Sequence, residues 1–386
     1  MKHFHHIAYI IILAVLNFYS WHNYAQNNID LACGNDNVNK LSLLNDKSLN
    51  TFKSLEKTFA SSLVSKTGDS KPQINLIPVK LHIMRDSNGL GGLGSNSIEN
   101  ALNDLNIIFQ DVYVSFYLYD DINYVDDSNL VNFKKGTEDR LFDLYEVGVL
   151  NIFFVASLVN ADDTAICGYN LDAIDKNIVI MKNSCALNGS SLAHEIGHFF
   201  SLLHTHDSTK PELVDGTNCD TNGDGLCDTP ADPGLTNDNV DGDCNYIGQE
   251  TDANGEVYRP DTGNVMSYSR KTCRNHFSKQ QYARMYAYYL ANKDILFQHV
   301  KISTTTTRGL ENVKIYPNPV ENGHIYIKRD EFLNETLYYN ITNLSGQVLS
   351  KGFTSNDMLD VSQLPSGSYF LTLSNAETKI TKRFLK

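Results

Sequence analysis

Apolar residues recur along the chain with two periods, and their order outlines an α/β domain. Val79, Leu81 and Ile83 occupy every second position, the period of a strand. Ile98, Leu102, Leu105 and Phe109 follow at helical spacing behind Ser97, a residue suited to cap a helix. Val112, Val114, Phe116 and Leu118 return to period two, and two uninterrupted apolar runs, residues 149–155 and 178–181, have the length of buried strands. Leu192, Ile196, Phe199 and Leu203 then form a stripe at i, i+4, i+7 and i+11, preceded by the helix-start residues Asn188, Gly189, Ser190 and Ser191. A strand, a helix, three strands and a helix in that order predict a sheet carrying the last helix on one face.

Residues 207–263 are rich in Gly, Asp and Asn and short of apolar runs. A loop of that length inside a domain is normally functional or stapled. Ser278 and Gln281 have the spacing of a capping box and open a helix through Tyr282, Met285 and Tyr289 to about residue 298. Residues 301–309, with four consecutive threonines, read as a linker. From residue 310 onward, short alternating runs at 313–316, 324–327, 337–341 and 369–373 are separated by Asn318-Pro319, Ser345-Gly346 and Pro365-Ser366-Gly367. That rhythm predicts a small all-β sandwich.

With 386 residues, 41% of them hydrophobic, the chain is long enough for two or three domains with real cores. Its net charge of -13 is spread rather than blocked, which argues against nucleic acid as a partner. Residues 1–25 begin with Lys2, run apolar from Ile7 to Leu16 and end at Ala25, the pattern of a secretory signal peptide. No later segment is long and apolar enough to cross a bilayer, so the expected destination is outside the cell, as a monomer. Residues 26–70 are polar, with weak helical periodicity, and read as a propeptide ahead of a catalytic domain at 71–300. Seven cysteines in an exported chain predict disulfides among Cys167, Cys185, Cys219, Cys227, Cys244 and Cys273, with Cys33 apart. Six cysteines allow 15 pairings, and sequence does not choose among them.

The candidate chemistry lies at residues 190–206, SSLAHEIGHFFSLLHTH. His194 and His198, four apart on a helix, project from one face one turn apart, a clamp for a metal ion. A catalytic zinc takes three protein ligands and leaves one position open, so a third donor is needed; His204 is the candidate and His206 the alternative. Glu195 is then placed to take a proton from water at the metal. Asp220, Asn222, Asp224 and Gly225 open like an EF-hand loop, but Ala231 stands where that loop needs glutamate, so an EF-hand is excluded.

HEIGHFFSLLH with NVMSY at 264–268 resembles the metzincin metallopeptidases. Within that clan, HTH after the motif, GDGLCDTP at 223–230 and NVMSYSRKTCRNHFSKQQYARM at 264–285 resemble the pappalysin (cytophagalysin) family. The resemblance implies a mixed twisted sheet with an active-site helix above a loop-rich lower subdomain, and a secreted zinc endopeptidase. It implies that Met266 floors the metal site and that Tyr268 serves as switchable ligand or oxyanion stabiliser. It further implies that Cys273 is tied to the loop holding Cys219 to Cys244. Calcium is implied at Asp224, Thr229 and an upstream acid such as Glu212; a solvated loop without an ion is the alternative. Cys33-Gly34 resembles the metzincin cysteine switch, in which a thiolate fills the open metal position, although the flanking Leu31, Ala32 and Asn35 include no arginine; an incidental thiol is the alternative.

One departure stands out. Ser201 occupies the place of a metzincin glycine, where a positive φ on a residue with a Cβ costs about 1 kcal/mol. A noncatalytic, metal- and calcium-stabilised adhesion protein is the rival expectation if Ser201 disables the third ligand. Downstream, KIYPNPVENG, YNITNLSGQVLSKG, LPSGSYFLTLSN and KITKRFLK resemble the C-terminal sorting domain of bacterial type IX secretion. This implies export through the periplasm to the outer surface or beyond, with the secretion machinery and protein substrates as partners; a carbohydrate-binding or adhesive sandwich is the alternative.

Overall fold

Residues 33–35, 46–64, 75–171, 176–298, 310, 313–328, 337–354, 358–374 and 379–386 are described by a computed structural model. The expected signal peptide at 1–25 and linker at 301–309 lie outside the described residues. Among the described residues, no helix is long and apolar enough to cross a membrane.

The central sheet is built on β1 (Asn75–Arg85), which pairs in parallel with β2 (Val114–Leu118), β3 (Asn123–Asp126) and β5 (Leu150–Val155). Beyond β5 lie β8 (Ile178–Lys182), also parallel, and β7 (Gly168–Asn170), antiparallel at the edge. The short strands β4 (Asn132–Lys134) and β6 (Ser157–Val159) form a separate parallel pair. Every residue of β5 is buried, as an apolar run in the middle of a doubly covered parallel sheet requires. The same cover alters the expected alternation in β1, where His82 and Met84 are as fully buried as Leu81 and Ile83.

Helix α1 (Asp46–Val64) precedes the sheet, and α2 (Ser95–Phe109) follows β1. Helix α2 begins three residues earlier than the sequence suggests: Gly94, not Ser97, is its N-cap, and Ser97 lies in its first turn. Leu105 and Phe109 are buried along its apolar stripe, with Phe109 packed edge-on against Phe116 at 5.2 Å and Phe277 at 5.2 Å. Helix α3 (Ser191–Phe199) is buried along its whole length between the sheet and the loops below. No regular element separates it from α4 (Lys279–Leu296), which opens with the expected capping box of Ser278 and Gln281.

Although its composition offers no core of its own, α1 packs along α4. Phe52 is fully buried against Ala287, with Leu49, Leu55 and Tyr288 around them, and Arg284 Nε donates to Glu56 Oε1 at 2.9 Å. The C-terminal residues form two antiparallel sheets: β9 (Lys314–Glu321), β10 (His324–Lys328) and β13 (Met358–Asp360) in one. The other joins β11 (Leu337–Asn343), β12 (Val348–Thr354), β14 (Ser368–Ser374) and β15 (Lys379–Leu385). Ile325, Leu337, Leu371 and Phe384 belong to a separate core between them, so the expected sandwich forms.

Candidate metal centre

The site starts with how α3 begins. Asn188 Oδ1 accepts from the amides of Ser190 at 3.2 Å and Ser191 at 2.9 Å, satisfying donors that the first turn leaves open. From this anchored start His194 and His198 rise on one face. His194 Nδ1 lies 2.7 Å from Val265 O and His198 Nδ1 2.9 Å from Leu202 O. A carbonyl only accepts, so each Nδ1 carries the hydrogen and each Nε2 turns its lone pair inward.

The end of α3 sends the third imidazole to the same point. Ser201 N donates to His198 O at 2.9 Å and Leu202 N to Gly197 O at 3.0 Å, the paired bonds of a Schellman motif. Ser201 sits at its left-handed position with φ of 69°, so the turn forms with serine where glycine is usual. The reversal brings His204 Nε2 to 3.0 Å from His198 Nε2, which is 3.2 Å from His194 Nε2. His206 stacks on His204 with ring centroids 5.3 Å apart but does not join the donor group. Burial holds His194 and His204 well below the ordinary histidine range, in the neutral form that binds metal. Facing lone pairs at about 3 Å repel one another unless a cation lies between them. Three nitrogens on a tetrahedral zinc would stand roughly 3.4 Å apart, given Zn–N bonds of about 2.1 Å. The donor set fits that ion.

Cys33 Sγ completes a group in which all donor atoms lie within 4.8 Å of one another. It is the free cysteine among the described residues, and burial pushes its thiol well up. Cys33 Sγ also lies 3.3 Å from Glu195 Oε2, which accepts a second, shorter bond of 2.7 Å from Asn35 Nδ2. Burial pushes Glu195 up to about 8, opposed by Cys33, Arg274 and Lys271. Met266 is buried beneath, its sulfur 2.5 Å from where a Cβ on Gly197 would stand. Only glycine at 197 therefore lets the methionine pack on the helix. Tyr268 is half-buried, with its ring 4.6 Å from that of His204.

Residues 149–289 match the family of peptidases described as pregnancy-associated plasma protein-A, the pappalysins. The chain carries a pappalysin peptidase domain. Residues 314–386 match the secretion system C-terminal sorting domain, which marks the chain for secretion or the bacterial outer surface. An extracellular metalloprotease of Colletotrichum graminicola is 25% identical over 158 residues, which are 37% of this chain and 50% of that protein. Another of the same fungus is 34% identical over 103 residues, 27% of this chain and 32% of that protein. The chain thus spans half or less of the curated relatives it matches. Among solved structures, a Tannerella forsythia promirolysin mutant aligns with 70% of this chain and 97% of its own, at 17% identity and TM-score 0.45. Metalloproteinase-II of Bacteroides fragilis aligns with 61% of this chain and 60% of its own, at 10% identity and TM-score 0.29.

In the pappalysin domain, three disulfides staple the surroundings of the site. Cys167–Cys185 ties β7 to the segment before α3, Cys219–Cys227 closes a short loop, and Cys244–Cys273 holds the segment after Tyr268 to the long loop, the tie implied for Cys273. Glu212 and Asp224 are both buried in this lower part. Asp224 Oδ1 accepts from Thr229 Oγ1 at 2.8 Å, and Glu212 Oε2 is buried with no hydrogen-bond partner. Burial pushes Glu212 up to about 7, with the charges of Asp224 and Asp232 adding to it, and burial pushes Asp224 up to about 6.

Three residues escape the sequence reading of the pappalysin domain. Asp232 accepts from Thr205 Oγ1 at 2.6 Å, beside the third imidazole. Arg274 is buried and reaches Ser190 Oγ at 3.2 Å, Ser191 Oγ at 3.3 Å and Ser267 O at 3.1 Å, joining the start of α3 to the methionine turn. Asn35 touches Glu195 across 160 positions of sequence. Spacing carries no signal for contacts between such distant segments.

Proposed function

We propose that the pappalysin domain is a zinc endopeptidase whose ligands are His194, His198 and His204 and whose general base is Glu195. The convergence of three Nε2 atoms on one point beside a buried carboxylate carries this reading. Zinc, when held there, supplies the Lewis acidity that acidifies water and polarises a carbonyl. Glu195 takes a proton from the attacking water and passes it to the leaving amine. Tyr268 donates its hydroxyl to the developing oxyanion, a contribution of roughly 3 kcal/mol. Val265 O and Leu202 O hold the rings of His194 and His198 in orientation.

Cys33 keeps the unprocessed chain latent by occupying the fourth position of the donor group. Calcium binds near Asp224, Thr229 and Glu212, where a cation would satisfy the orphaned Glu212 oxygen and offset the mutual repulsion of the carboxylates. Protein substrates and the type IX secretion machinery are the partners.

Glu195→Gln tests the central assignment. Metal analysis should find zinc retained at one per chain, while casein hydrolysis by the processed form falls by roughly 10²- to 10⁴-fold. A variant that cleaves at the wild-type rate would remove Glu195 from the mechanism. A wild-type protein that binds zinc but hydrolyses no peptide, with or without chelator, would favour the adhesion reading.

A further inference from the structure

Residues 33–35 lie against the edge of the sheet next to the metal centre. Gly34 N donates to Gly168 O of β7 at 2.8 Å, and Lys135 Nζ donates to Gly34 O at 2.6 Å. A Cβ on Gly34 would stand 2.4 Å from Ile166 Cδ1 and 3.2 Å from Gly168 O, so a side chain here would have to displace that of Ile166. Asn35 follows, buried, with every polar atom of its side chain engaged. Its Oδ1 accepts from Asn170 N at 3.2 Å, at the end of β7. Its Nδ2 donates to Glu195 Oε2 at 2.7 Å and reaches Cys33 Sγ at 3.4 Å, and its backbone N donates to the same sulfur at 3.3 Å.

We propose that Asn35 is a positioning residue that forms a second half of the latency lock, clamping the Glu195 carboxylate while Cys33 fills the donor group. The proposal rests on the latency reading of Cys33 and extends it from the metal to the base. A carboxamide suits the place because it accepts on one side and donates on the other at fixed spacing. Here the acceptor is committed to the sheet edge and the donor to a carboxylate, a charge-assisted bond. With Glu195 Oε2 held by Asn35, that oxygen is withdrawn from a water. With two N–H groups of Asn35 directed at Cys33 Sγ, the sulfur is fixed where the imidazoles converge. Aspartate has the same shape but would set a second carboxylate against Glu195 and offer Cys33 no side-chain donor.

The test compares the unprocessed zinc-loaded wild-type chain with Asn35→Ala, Asn35→Asp and Cys33→Ala. Two quantities are read: the rate of Cys33 alkylation by iodoacetamide, followed by intact-mass spectrometry on the uncleaved chain, and hydrolysis of a fluorogenic peptide before processing. Both Asn35 variants should be alkylated roughly tenfold faster or more and should leak activity, as expected for loss of a hydrogen bond to a charged group. After trimming of the N-terminal segment their activity should equal wild type, which also shows that they fold. If Cys33→Ala is active but both Asn35 variants keep wild-type latency and alkylation, the Asn35 proposal falls alone. If only Asn35→Ala leaks and Asn35→Asp stays latent, packing rather than the donated bond is the cause and the proposal is overturned. If Cys33→Ala is as latent as wild type, the latency reading itself fails and takes this one with it.

Discussion

Ser201 shows how one residue can carry strain without disabling the site it serves. Its φ of 69° places a Cβ in the left-handed region, and its buried Oγ has no hydrogen-bond partner. The Schellman bonds around it still deliver His204 to the cluster, so the premise that serine spoils the third ligand is not met. Ser201→Gly should raise stability by up to about 1 kcal/mol, because relief of strain and of an unsatisfied hydroxyl outweighs the extra freedom of glycine in the unfolded chain. Urea unfolding with zinc content held constant measures it, and a less stable variant would refute the strain argument. His82 offers a pH test at the same scale. Its Nε2 lies 3.1 Å from Asn151 Oδ1, its Nδ1 3.0 Å from Asn123 Nδ2, and its ring stacks on Phe153, an arrangement complete only for neutral imidazole. Burial lowers it to about 4, with Lys80 adding to the effect. A histidine depressed in the folded state contributes stability that is full above about pH 6.5 and is lost as pH falls towards 4, here about 3 kcal/mol. His82→Asn should therefore lose about that much less than wild type between pH 7 and 4; identical pH profiles would exclude the assignment.

At the level of elements, legibility followed the source of each element's stability. Helix α4 was readable to its capping residues because a capping box is local chemistry, and β5 and β8 because a fully buried strand is an unbroken apolar run. Helix α1 was scarcely readable, since its stability comes from a partner more than 200 positions away. Phe52 is the residue through which α1 joins the core. Phe52→Ala should cost about 3 to 5 kcal/mol in the docking of this helix. Hydrogen exchange should rise across 46–64 while β1, β5 and β8 keep their protection. Equal loss of protection in the sheet would mean that α1 is part of the global core.

For the molecule as a whole, the two matched regions have separate cores: the peptidase domain is organised on its parallel-rich sheet and the sorting domain on its sandwich. If the proposed function holds, a chain ending at residue 298 should keep zinc and hydrolyse casein at a rate within about twofold of the full chain, since among the described residues the sorting domain supplies no donor to the candidate metal centre. Loss of zinc from the truncated protein would show that the sandwich supports the site. The sequence by itself determined what local spacing can encode: two imidazoles on one helical face with a carboxylate next to the first in sequence, the apolar runs that become strands, and the capping box of α4. The tertiary structure alone brought His204 rather than His206 to the imidazole cluster, chose one pairing of six cysteines out of 15, and set Asn35 and Arg274 beside α3. Those outcomes depend on where separate segments meet in three dimensions. Periodicity specifies which face of an element is buried, but the segment it is buried against follows from packing of the whole chain.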